Sequence, residues 1–107
     1  MTTYKDRDLR YNNWHRQELP RDCYALDIDL VEFRASRGVV AITEIKNEND
    51  TIREWQNKIL IEIAKKLEVP IYLIIHKDLV MFKVINLITK QERLFDEQQY
   101  KEFIVGL

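Results

Sequence analysis

The chain has 107 residues, of which 46% are hydrophobic and 33% charged, with only two Gly and two Pro. This composition fits one globular domain over residues 1–107 and excludes a disordered or collagen-like polymer. The formal net charge of −1 excludes a protein that coats nucleic acid by charge alone, which needs a large excess of Lys and Arg.

No apolar run approaches the roughly 20 residues of a membrane span, and residues 1–6 lack the apolar stretch of a signal peptide. Cys23 is the only cysteine. It has no intrachain partner, which fits a reducing, intracellular (cytoplasmic) setting, and it is expected as a small buried apolar side chain.

In chain order, Leu9, Trp14 and Leu19 are spaced for a short amphipathic helix over 4–19, stopped by Pro20. Residues 23–34 alternate with the two-residue period of a strand, with Leu26, Ile28 and Leu30 on one side. The stretch 35–38 has turn chemistry, and Gly38 is able to take positive φ. Residues 39–46 form a second, β-branched strand, so 23–46 reads as a hairpin. Asp50 or Thr51 is placed to cap a helix running to about residue 68, with Ile52, Trp55, Ile59, Leu60, Ile63, Ala64 and Leu67 in its apolar stripe. After Pro70 the apolar run 71–75 reads as a buried strand entered through a helical crossover. A turn at 76–78, a strand over 80–88 and a capped helix over 96–104 complete the chain, the last with Tyr100, Phe103 and Ile104 on one side. The expected fold class is α/β: a mixed central sheet flanked by helices, in the order α-β-β-α-β-β-α.

Polar residues break the apolar pattern at one place. Asp27 and Asp29 share a face of the first predicted strand, and Glu44 and Lys46 share a face of the second with Val40 and Ile42. A hairpin brings Asp29, Glu44 and Lys46 together. Burying these groups on an apolar strand face costs desolvation unless they meet partners or a metal. Gln56 interrupts the stripe of the following helix near its start and is directed toward the same region. Two carboxylates at a sheet edge are hard oxygen ligands of the kind Mg²⁺ takes. Such an ion lowers the pKa of water and offsets charge developing on a phosphodiester, with Lys46 adding a cation to the transition state. The alternative use of these groups is a solvated salt-bridge ladder across the hairpin.

The pattern Ile28-Asp29-Leu30-Val31, a turn, then Ala41-Ile42-Thr43-Glu44-Ile45-Lys46 resembles the PD-(D/E)XK nuclease superfamily. The stretch from Asp29 to Lys46 is similar to its RecB-type branch, and the Holliday-junction resolvases are another branch of this kind. The resemblance covers roughly residues 15–76 and implies a restriction-endonuclease-like core. It implies that Asp29 and Glu44 bind Mg²⁺ (or Mn²⁺ in its place) with the backbone carbonyl of Ile45, and that Lys46 is the catalytic lysine. Gln56 falls where the RecB-type branch has the Gln of Gln-x-x-x-Tyr, but Leu60 stands at the Tyr position, which favours endonuclease over exonuclease action. Glu18 lies where many members place an acidic residue on the first helix.

Each remaining residue has two readings. Asp27 is an exposed strand carboxylate or an auxiliary ligand. Trp14 packs its helix on the sheet, or stacks on nucleic acid with Arg16 on phosphate. Arg34, Arg37 and Lys77 are further phosphate-contact candidates. The expected activity is metal-dependent hydrolysis of phosphodiester bonds in DNA, by a chain short enough to favour a homodimer with two sites on two strands. The alternative is a non-catalytic subunit of the same fold within a larger DNA-processing complex.

Overall fold

The computed structural model describes residues 9–23, 25–50 and 53–107. The expected first turn of the N-terminal helix at 4–8, the Thr51 cap and Ile52 lie outside these residues.

Among the described residues five strands and three helices follow in the order α1 (Arg10–Glu18), β1 (Leu30–Arg34), β2 (Gly38–Asn47), α2 (Glu54–Leu67), β3 (Ile71–Lys77), β4 (Met81–Asn86), β5 (Glu92–Asp96) and α3 (Glu97–Val105). The strands make one mixed sheet in sequential order. Only β2 and β3 run parallel, joined across α2, and the other neighbours are antiparallel. The molecule is thus a small α/β domain with a mixed sheet. Among the described residues no helix is long and apolar enough to cross a membrane.

The expected order lacks β5, and that is a correction. Residues 87–90 turn the chain, with Asn86 Oδ1 accepting from the N–H groups of Ile88 and Thr89. Glu92–Asp96 then returns along β4, with Arg93 opposite Val84 and Phe95 opposite Phe82. An edge strand buries only part of one face, so its sequence carries little apolar alternation. Phe95 is its one residue that is not exposed.

The first strand is also shorter than expected. Regular pairing begins only at Leu30, opposite Thr43, and slips at a bulge between Glu32 and Phe33. Residues 25–28 are not in a strand, so Asp27 and Asp29 precede β1 rather than share its face. Cys23 is exposed, against the buried role expected for it. The hairpin turn forms where expected, with Gly38 at φ 78°. Asp50 does not cap α2, whose N-cap is Arg53 without a side-chain cap. Its carboxylate instead accepts the Asn47 N–H at 2.8 Å and closes the turn after β2.

Two cores lie on opposite faces of the sheet. On one, Leu60 and Ala64 of α2 pack on Ile42, Ile71, Leu73 and Leu87. On the other, Tyr100 and Phe103 of α3 pack on Ile74, Phe82 and Val84. There Tyr100 stacks on Phe82 with ring centroids 4.2 Å apart, and Phe103 meets Tyr72 edge-on at 5.1 Å. The α3 aromatic stripe is therefore core, as its spacing predicts. Because β2 is interior to the sheet, residues 41–44 are all buried, and that run includes Glu44.

Candidate active site

Glu44 is 2% exposed, on the same face of β2 as Ile42 and opposite Leu73 of β3. One of its oxygens, Oε1, accepts from Gln56 Nε2 at 3.4 Å and lies 3.6 Å from Lys46 Nζ. The other, Oε2, is buried and has no hydrogen-bond partner among the described residues. Gln56 reaches this carboxylate because it sits in the first turn of α2, the helix that follows β2 and packs back on it. Lys46 reaches it because residues two apart on a strand share a face.

Asp29 arrives by another route. The ladder between β1 and β2 ends at Leu30 and Thr43. Beyond that point the Asp29 Oδ2 accepts the Ile45 N–H at 2.8 Å, so a side chain continues the ladder where the backbone has turned away. This anchors the Asp29 carboxylate beside Glu44. Burial raises the pKa of Glu44, the Asp29 charge raises it further, and Lys46 opposes both. Two carboxylates held together, one with a buried oxygen lacking a donor, form a local excess of negative charge that a cation would offset.

Asp29, Glu44, Lys46 and Gln56 therefore come together as the sequence leads one to expect. The Ile45 carbonyl belongs to the residue between Glu44 and Lys46, whose N–H is already committed to Asp29. Glu18 and Asp27 do not enlarge the set: among the described residues no three His, Cys, Asp or Glu side chains are grouped to hold a metal ion. Glu18 is exposed at the end of α1, and Asp27 is exposed in the irregular segment before β1. Asp29, also exposed, joins Glu44 because its carboxylate is tied to the Ile45 N–H of β2.

The basic candidates divide. Arg34 donates to the Ile104 carbonyl at 2.6 Å and pairs with Glu32 at 3.1 Å, and Arg37 donates to the Leu107 carbonyl. Both guanidinium groups thus fasten the C-terminal end of α3, where unsatisfied carbonyls attract cations. Lys77 is exposed at the end of β3, two residues beyond Ile75, the partner of Lys46. Trp14 and Arg16 are exposed on α1, so Trp14 does not fix that helix to the sheet through a buried contact. Tyr11 and Arg21 carry no motif in the sequence. They come into view only because α1 and the segment after it enclose a cleft.

No family model, curated protein or solved structure matches the chain.

Proposed function

We propose that the protein is a metal-dependent nuclease of the PD-(D/E)XK type, hydrolysing phosphodiester bonds in DNA, as an endonuclease rather than an exonuclease. The observation that carries this reading is the grouping of Glu44, Asp29, Lys46 and Gln56, with one buried Glu44 oxygen unpartnered. The order helix, hairpin, crossover helix and parallel strand supports a restriction-endonuclease-like core, with β4, β5 and α3 following it.

The donor set suits a hard divalent cation. Mg²⁺, or Mn²⁺ in its place, would be held by Asp29, Glu44 and the Ile45 carbonyl, and would supply charge neutralisation and an acidified water. The chain's own groups do the rest. Gln56 fixes the orientation of the Glu44 carboxylate by donating to Oε1. The Ile45 N–H fixes Asp29. Lys46, held near Oε1 and partly exposed, presents a cation to a phosphoryl oxygen as negative charge develops in the transition state. A homodimer placing one site on each of two strands belongs to this reading, as does service within a larger DNA-processing complex.

Incubation with plasmid, branched and single-stranded DNA, with and without EDTA, tests the proposal. Cleavage that needs the metal is expected. Glu44→Ala and Lys46→Ala should each lower the rate by at least 10²-fold while circular dichroism stays unchanged. Cleavage that persists in both variants would overturn the assignment, and absence of metal-dependent cleavage on every substrate would leave the non-catalytic subunit as the better reading.

A further inference from the structure

Helix α1 contributes no side chain to either core cluster, whereas α2 and α3 each pack on one. None of its residues is buried, and its side chains include exposed Tyr11, Trp14 and Arg16. A helix that contributes no buried side chain to the core keeps such a face for something other than packing. Against it, Pro20, Arg21, Cys23 and residues 25–27 close a cleft of about 590 Å³ whose lining includes Tyr11, His15, Arg16 and Asp27. The Tyr11 ring lies 5.7 Å from Trp14 and 6.3 Å from His15, which makes an aromatic cluster at the cleft's edge. Neither Arg16 nor Arg21 forms an ion pair within the described residues, whereas Arg34 does.

Aromatic faces beside arginines make a surface on which an unstacked base and its phosphate bind together. The volume lies within the range of small-ligand pockets, room for one nucleotide, while a duplex keeps its base faces stacked inside and cannot offer them to Tyr11. Along the chain the cleft is close to the carboxylate site. Asp27 lines it, and Asp29 is two residues further along, at most about 7 Å of chain.

We propose that this cleft receives one unpaired nucleotide of the strand whose phosphodiester lies at Asp29, Glu44 and Lys46. The base stacks on Tyr11, and Arg16 and Arg21 take the adjoining phosphates. The inference rests on the nuclease reading for the position of the scissile bond, and it directs the enzyme to single-stranded or unpaired DNA.

Binding is measured by fluorescence anisotropy in EDTA, which separates the cleft from any chemistry at the carboxylates. The probes are a labelled single-stranded 12-mer and its fully paired duplex. The single strand should bind at least tenfold more tightly. Tyr11→Ala should weaken that binding about 5- to 150-fold. Arg16→Ala and Arg21→Ala should each lower the slope of log affinity against log salt by about 0.7. Since α1 buries no residue and Arg21 is exposed in the turn after it, all three variants should keep the wild-type circular dichroism. Equal affinity for the two probes, or unchanged binding in the three variants, overturns the inference. Metal-dependent cleavage measured on the same proteins then tells the two readings apart. Cleavage with unchanged KM in all three variants removes the cleft and leaves the nuclease, while single-strand binding lost in the variants without any wild-type cleavage does the reverse.

Discussion

Glu44 carries a charge in a place that disfavours it. Burial is the largest cause of its raised pKa, the Asp29 carboxylate the next, and Lys46 offsets only part of the two. The folded chain therefore binds this proton more tightly than the unfolded chain. Stability falls as the pH rises through the raised value and is regained as the pH is lowered toward the ordinary carboxylate range. Glu44→Gln removes the cost, so its thermal midpoint in metal-free buffer at neutral pH should lie above wild type, by a margin that shrinks as the buffer is acidified. A lower midpoint at neutral pH would mean that the ion pair to Lys46 outweighs burial. A divalent ion bound to the folded state acts in the opposite direction on the wild type. At 100 times its Kd, Mg²⁺ should stabilise the wild type by about 2.7 kcal/mol, a gain absent in Glu44→Ala. The grouping of Glu44, Lys46 and Gln56 is legible in the sequence because strand spacing and a helix start are local facts. The means by which Asp29 joins them is not, since its carboxylate is held by a backbone N–H sixteen residues away.

Among the elements, α3 is the one whose sequence and structure agree best. Asp96 accepts the Gln99 N–H at 2.8 Å while Gln99 Oε1 accepts the Asp96 N–H at 2.9 Å, a reciprocal capping box. Asp96→Ala should cost about 1 kcal/mol in urea unfolding. Phe82→Ala, which removes the ring on which Tyr100 stacks, should cost about 3–5 kcal/mol. A Phe82 variant near the Asp96 one would show that α3 is held by its ends rather than by its aromatic face. Its C-terminal end is indeed tied, by Arg34 and Arg37, residues whose charge alone marked them as phosphate contacts. Strand β5 shows the converse. Its alternation is weak because it lies at a sheet edge, and it is defined by its pairing with β4.

For the whole molecule, the sheet is covered by α2 on one face and α3 on the other, while β1 and β5 form its edges. The β1 edge exposes Leu30, Val31 and Phe33, an uncommon concentration of apolar side chains for an edge strand. This is the surface on which the proposed homodimer is to be sought. Light scattering at micromolar concentration should give the mass of two chains, and Phe33→Lys should reduce it to one. A single-chain mass for the wild type would take the dimer out of the functional reading.

The sequence by itself determined the helices α2 and α3, the hairpin turn at Gly38 and the residues Asp29, Glu44, Lys46 and Gln56. Each of these is written in a spacing of a few residues, or in a polar group set against an apolar period. Only the tertiary structure decided that Trp14 and Cys23 are exposed, that Glu18 and Asp27 stand apart from the carboxylate pair, that two arginines serve α3, and that α1 encloses a cleft. Those outcomes depend on which surfaces meet across long stretches of chain. The near-neutral net charge sums over the whole molecule and cannot register that it holds both a carboxylate pair and a cleft lined by Arg16 and Arg21.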